Sequence, residues 1–438
     1  MKMLMQSAAT AAFAATFSFS AQALACTSGD LTPVVSNGTI GPDNLVGCDG
    51  PDELSGGMGD DTLIGGAGDD YLEGGDDHDS LDGGDGDDFL RGGAGNDTLL
   101  GGAGVEYLRG EDGDDSLNAG DGDDILRGGK GVDSFDGGPG ADRVSFYEMN
   151  ATQGFSANLT TQKIKNDGFG NAESMTSIES LGAGTYYADE FIGDAGPNFL
   201  VNVGKGDTAK GGAGDDMFQI EDAPALVLGG TGVDCACWFT RSRLVDNGGS
   251  IGVETTQNGV VVNLALNKIV DDGWGGSGVI KAIENLGGSP GDDALTGNGA
   301  ANKIWGYDGA DTIIGRTGDD TIIGGLGADT LSGAGGADTY IYEDMGESAP
   351  GASDTITDFR QAHGDRIDLS AIDADPSTGA DDSFVFQAAQ SSAPIEGAVT
   401  WRKDAANKRT IVEAQAGGVV LTITLNGLRN LTAADFVL

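Results

Sequence analysis

A nine-residue period constrains this chain more than any other feature. From Gly38 to Ser145 the sequence reads as twelve consecutive units with no insertion or deletion. Gly56-Gly57-Met58-Gly59-Asp60-Asp61-Thr62-Leu63-Ile64 is one unit, and Gly65-Gly66-Ala67-Gly68-Asp69-Asp70-Tyr71-Leu72-Glu73 is the next. The sixth place is acidic throughout: Asp43, Asp52, Asp61, Asp70, Asp79, Asp88, Asp97, Glu106, Asp115, Asp124, Asp133 and Asp142. The eighth place is Leu in the first ten units, then Phe135 and Val144. A disordered Gly/Asp tract has no use for an apolar residue at a fixed phase, so the period marks a folded repeat.

The first six places of a unit are rich in Gly and Asp and read as a turn that needs positive φ and close backbone approach. The last three hold one apolar residue between two outward ones, a strand too short to survive alone. It survives if successive turns stack at strand spacing, about 4.8 Å, so that the eighth-place side chains make one interior. If two units make one coil, loops on the same edge recur every eighteen residues, bringing Asp61 near Asp79 and Asp70 near Asp88. Stacked carboxylates repel unless a cation lies between them. Calcium suits such a gap, because it accepts about 6–8 oxygen ligands in flexible geometry, carbonyls included, whereas magnesium demands a stricter octahedron.

The motif resembles the repeats of the RTX (haemolysin-type calcium-binding) family, whose β-roll binds calcium between stacked loops. Full G-G-x-G-x-D matches begin at Gly56, Gly65, Gly83, Gly92, Gly128, Gly137, Gly211, Gly229 and Gly324. The units at Gly74, Gly101, Gly110 and Ala119 depart from the pattern through Asp77, Glu106, Glu111 and Ala119 itself. The resemblance implies an all-β parallel β-roll with β-rich inserts and a C-terminal β region. It implies Ca2+ at Asp52, Asp61, Asp70, Asp79, Asp88, Asp97, Asp115, Asp124, Asp133, Asp142, Asp216, Asp311, Asp320, Asp329 and Asp338.

A net charge of -47, with 70 acidic residues among 438, argues against a nucleic-acid partner and for bound cations. Residues 1–25 read as an export signal: Lys2, an apolar stretch from Ala8 to Phe19, and Ala23-Leu24-Ala25 before Cys26. The stretch is too short to span a membrane, and no other segment is long enough. Cys26 is either a lipidation site or a partner for Cys48 in a disulfide that staples the start of the roll. Cys235 and Cys237 share one face of a short strand and are not expected to bond each other.

Beyond the first block, Gly154–Gly182 matches Gly259–Gly287 at a constant offset of 105 residues, including Asn158/Asn263, Asp167/Asp272 and Glu179/Glu284. Each copy leads back into nonads. The expected order is a signal peptide over 1–25, a roll over 38–145, an insert over 146–183 and a short roll over 184–219. A second insert over 220–287, a roll over 288–341 and a C-terminal region over 342–438 complete it. The inserts are either recognition surfaces or caps and spacers. The C-terminal runs Asp354-Thr355-Ile356-Thr357-Asp358-Phe359 and Asp365-Arg366-Ile367-Asp368-Leu369-Ser370 resemble the end of secreted serralysin-type proteases, and Asp435-Phe436-Val437-Leu438 resembles a type I secretion signal. The protease module itself is absent: the chain has two histidines, His78 and His363, neither in an H-E-x-x-H context.

Two G-x-S-x-G matches, at Ser250 and Ser289, lack a following helix and a base, so no catalysis is expected. The sequence therefore points to an exported calcium-binding protein, extracellular or, alternatively, periplasmic or on the outer surface. It is structural or adhesive toward a surface, a matrix or other copies of itself. The competing reading is a secreted hydrolase with a site concealed in the inserts.

Overall fold

The computed structural model describes residues 33–438, apart from 147–150, 186, 239–241, 247–250, 256–257 and 379–380. The expected export signal, Cys26 with its expected pairing, and Ser250 lie outside the described residues. The chain falls into two compact units divided between Gly140 and Ala141. Apart from the three-residue 3-10 turns Leu159–Thr161, Leu264–Leu266 and Ala433–Asp435, the regular elements described are all strands. None of the helical turns is long or apolar enough to cross a membrane.

The first unit contains β1 (Val35–Asn37), β2 (Asn44–Val46), β3 (Glu53–Met58), β4 (Thr62–Ala67), β5 (Tyr71–Asp76) and β6 (Ser80–Asp85). It continues with β7 (Phe89–Ala94), β8 (Thr98–Ala103), β9 (Tyr107–Asp112), β10 (Ser116–Asp121), β11 (Ile125–Lys130) and β12 (Ser134–Asp136). Odd strands stack on odd and even on even, all parallel, with registers such as Leu54↔Leu72, Leu72↔Leu90 and Leu63↔Leu81. Two nonads therefore make one coil of a parallel β-roll. Between the two sheets lies a file of leucines from Leu45 to Leu126, each at most 2 % exposed. No strand can bury its leucine alone; stacking supplies both the ladder partners and the interior.

The strands are longer than the motif suggests. Thr62–Ala67 runs from the seventh place of one unit to the third place of the next. The turn therefore occupies only the middle of the nonad. The second-place glycine stays in the ladder with positive φ, as in Gly66↔Gly84 with φ of 120° and 111°. A Cβ on Gly84 would stand 2.0 Å from the Gly66 carbonyl oxygen, so the approach of adjacent coils excludes a side chain there.

In the second unit the same coil resumes. Arg143–Phe146, Ser180–Ala183, Phe199–Val203, Met217–Ile220, Cys235–Cys237 and Asn285–Gly287 stack in parallel, strand on strand. Each insert is an enlarged turn of this stack. Phe155–Asn158 pairs in parallel with Glu190–Ile192, then turns through Leu159–Thr161 into two antiparallel strands, Lys163–Asp167 and Glu173–Thr176. Val261–Asn263, Lys268–Asp271 and Gly278–Lys281 repeat the arrangement. Asn158 and Asn263 cap the 3-10 turns by accepting from Thr161 and Leu266 N–H.

The end of the chain continues the roll and then covers it. Thr355–Ile356 stacks on Thr330–Gly335, and Arg366–Asp368 stacks on Thr339–Ile341. A three-stranded antiparallel sheet, Ala398–Asp404, Arg409–Ala416 and Val419–Asn426, then adds its last strand in parallel to Thr355–Ile356. Phe436–Val437 pairs with Ile367 and Asp368. At this end both strand columns are thus extended by strands that return from the C-terminal region.

One expectation is overturned. Cys235 and Cys237 form a disulfide. Alternate residues of an extended strand point to the same face, and their Cα atoms are 6.1 Å apart, within bonding range.

Candidate calcium loops

The sixth-place carboxylates are buried on the turns, nearly all below 6 % exposure, and each is tied to the preceding coil. The backbone N–H of Asp43 donates to Asp61 Oδ1 at 2.7 Å, that of Asp52 to Asp70 at 2.7 Å, and that of Asp61 to Asp79 at 2.8 Å. Asp88, Asp97, Asp115, Asp124 and Asp133 accept in the same way from Asp70, Asp79, Asp97, Glu106 and Asp115. In the second unit Asp216, Asp311, Asp320, Asp329 and Asp338 accept from Asn198, Asp293, Asn302, Asp311 and Asp320. The eighteen-residue neighbourhood read from the period is this ladder.

In the carboxylates named next, one oxygen is thereby used and the other is not. Oδ2 of Asp61, Asp70, Asp79, Asp88, Asp97 and Asp115 is buried without a hydrogen-bond partner, as is Oδ2 of Asp216, Asp234, Asp311, Asp320, Asp329 and Asp338. It lies against the first-place glycine of its own nonad. A Cβ on Gly74 would sit 2.4 Å from Asp79 Oδ2 and 2.7 Å from the Gly92 carbonyl oxygen of the next coil. A carboxylate oxygen and a carbonyl oxygen thus converge where a side chain would block them. Among the described residues no group of three His, Cys, Asp or Glu side chains forms a metal cage. The donors offered are carboxylate plus backbone carbonyl, which is calcium chemistry rather than zinc chemistry.

Burial holds these groups partly protonated when no cation is present. Desolvation, opposed by the backbone hydrogen bond and reinforced by stacked neighbours, pushes Asp70, Asp79, Asp115 and Asp216 up to about 7. Asp311 rises to about 8, and Asp88, Asp329 and Asp338 to about 6. Asp61, Asp97 and Asp320 move in the same direction for the same cause. A divalent cation between the loops supplies the missing opposite charge.

The candidates are not equivalent. Asp52 uses both oxygens, Oδ1 from Val34 N–H and Oδ2 from Cys48 N–H. Asp293 is likewise saturated by Val260 and by Ser289, whose backbone and hydroxyl both donate to it. Ser289 is 3 % exposed and serves as a turn clamp. Asp142 N–H donates to Glu179 Oε2, and Asp234 N–H to Glu284 Oε2, so each insert supplies a glutamate where the next sixth-place Asp is due. Asp354 and Asp365 do the same for Asp329 and Asp338. The period misses these four because insertion breaks it; their only signal is an acidic residue just before a strand. His78 is exposed and accepts from Asn96 N–H in a second ladder formed by fifth-place side chains.

Asn198 and Asn302 occupy the sixth place naturally. Their amides donate to the carbonyls of Glu179 and Glu284 and to Asp194 and Asn298, so both ends are satisfied. An amide closes this loop by itself; a carboxylate leaves an oxygen over.

A family model described as the RTX calcium-binding nonapeptide repeat matches residues 37–72, 73–105, 109–144, 287–319 and 305–340. These repeats are calcium-binding RTX nonapeptides. The RTX matches take in nearly all of the first unit's regular coils, apart from residues 106–108, and the long run before the C-terminal region. No curated protein matches the sequence. Among solved structures, the chain is similar to the AlgE6R2 subunit of the Azotobacter vinelandii mannuronan C5-epimerase, at 24% identity and a TM-score of 0.27, covering 35% of this chain and 91% of that one. The AlgE6R3 subunit of the same enzyme aligns at 27% identity and a TM-score of 0.26, covering 33% and 78%. The extracellular lipase LipA of Serratia marcescens aligns at 17% identity and a TM-score of 0.23, covering 84% of this chain and 45% of that chain.

Proposed function

We propose that this is an exported protein whose roll closes when calcium enters the sixth-place loops. The observation that carries the reading is the buried, unpartnered Oδ2 repeated coil after coil. Asp61, Asp70, Asp79, Asp88, Asp97, Asp115, Asp216, Asp311, Asp320, Asp329 and Asp338 hold the ion with neighbouring carbonyls, and Asp234 joins them. Asp124, Asp133 and Asp142 belong to the same ladder, and Asp52 is the weakest member. Bound calcium supplies charge neutralisation and cross-links adjacent coils.

In low cytosolic calcium the charged chain stays loose and can be threaded outward. In the millimolar range outside, where extracellular calcium modules bind at about 10⁻⁴–10⁻³ M, the loops fill. A site held at ten times its dissociation constant adds about 1.4 kcal/mol, and many sites acting on one stack make closure steep. Export is supported by the leader-like start and by the serralysin-like run at the end. On this reading the chain makes and breaks no bonds, and its role is structural or adhesive. The test is circular dichroism of residues 26–438 titrated with calcium from chelator, with magnesium as control. A cooperative gain of β signal that magnesium does not reproduce is expected. A β-rich spectrum in chelator that stays flat on titration refutes coupled closure.

A further inference from the structure

The second insert stands beside a cavity with a basic rim. Between the insert and the roll lies a cavity of about 320 Å³ lined by Leu264, Asn267, Lys281, Ile283, Asn298 and Arg316. Leu264 and Ile283 form a buried apolar floor. Lys281 and Arg316 are exposed at its rim, and no carboxylate lines it. Several cations of this acidic chain pair with carboxylates, as Arg91, Lys130, Lys210 and Arg409 do. Among the described residues, the side chains of Lys281 and Arg316 form no ion pair or hydrogen bond.

Neither cation is required by the fold. At the offset of 105, Lys281 corresponds to Thr176 of the first insert. Arg316 follows Asn302 by fourteen residues, as Gly212 follows Asn198. Arg316 therefore occupies a second-place glycine position, and its φ of 90° is the most positive of any non-glycine described. The same second place holds Glu111, Tyr307 and Ala334 with φ of 86°, 74° and 67°, so the roll tolerates a side chain there, and at Arg316 that side chain is a guanidinium beside the cavity.

We propose that this cavity binds a small organic carboxylate. The guanidinium of Arg316 presents a planar fork matched to a carboxylate, with Lys281 adding a second charge. Leu264 and Ile283 take the carbon skeleton, and the Asn267 side chain is left to bond a hydroxyl or carbonyl. The cavity's side chains are not those of the calcium carboxylates, so in the folded, calcium-loaded chain a loss of ligand binding is distinguishable from a failure of closure.

The test is isothermal titration of the calcium-loaded full chain with D-galacturonate, with glucose as the neutral probe and sulfate as the bare oxyanion. Arg316→Gly and Lys281→Thr restore what the sibling module carries, so both fold. Galacturonate is expected to bind while glucose does not, with each substitution weakening it at least about tenfold. Binding that survives both substitutions, or glucose binding equally well, overturns the proposal. Sulfate binding as tightly as galacturonate, and lost in the same variants, assigns the cavity to a bare oxyanion and overturns the organic ligand.

Discussion

Replacing Asp79 with asparagine should change the sign of its effect with calcium. In chelator at pH 8, the folded roll buries Asp79 Oδ2 without a partner, while Oδ1 accepts from Asp61 N–H at 2.8 Å. An unsatisfied buried polar group costs about 1–3 kcal/mol. Asparagine can keep the acceptor for Asp61 N–H and turn its amide donor toward the Gly92 carbonyl, whereas the natural Asn198 and Asn302 satisfy their amides on the preceding coil, at the carbonyls of Glu179 and Glu284. Asp79→Asn should therefore raise apo stability by about 1–2 kcal/mol. With calcium at ten times the site's dissociation constant it should lower stability by about 1.4 kcal/mol, because one ion's linkage is lost. Urea denaturation at pH 8 across a series of calcium concentrations, extrapolated to zero calcium, reads both numbers from midpoints at constant slope. The apo gain should vanish near pH 5, where the wild-type carboxyl, held up to about 7, is already protonated. Destabilisation in chelator, or an unchanged midpoint in calcium, would refute the assignment of Oδ2 as an ion ligand.

The same upward shifts fix the pH dependence of the calcium-free roll. Asp70, Asp79, Asp115 and Asp216 titrate near 7 when folded, against an ordinary value of 3.8, so the folded state holds extra protons between those values. Stability is then full below about pH 4 and lost as pH rises through 7, so in chelator the β signal in circular dichroism should be stronger at pH 5 than at pH 8. Leu81 is wholly buried between the sheets, and Leu81→Ala should cost about 3–5 kcal/mol in calcium-loaded denaturation; a cost below about 1 kcal/mol would argue against a packed interior. Gly84→Ala forces a side chain onto the Gly66 carbonyl and should cost at least about 1–3 kcal/mol by the same assay. Maleimide labelling of the native, unreduced chain should leave Cys235 and Cys237 unmodified, with labelling after reduction.

The period by itself determined a stacked repeat. Nine residues with one apolar place admit one stable use, stacking, whereas two nonads per turn is supplied by the eighteen-residue registers of the structure. The Gly/Asp loops and their ion were legible for the same reason, because charge at a fixed phase must face itself in the stack. What the period could not show is where it is interrupted. Glu179, Glu284, Asp354 and Asp365 enter the ladder only because the inserts and the C-terminal strands fold back onto the coil, at separations of 37, 50, 25 and 27 residues. Nor could composition separate Asp52 and Asp293, whose carboxylates are saturated by Cys48 and Ser289, from Asp79, whose second oxygen is stranded. The sequence states which residues stand at a phase. Only the tertiary structure decides which hydrogen bonds each of them has left to make, because those depend on neighbours that arrive from elsewhere in the chain.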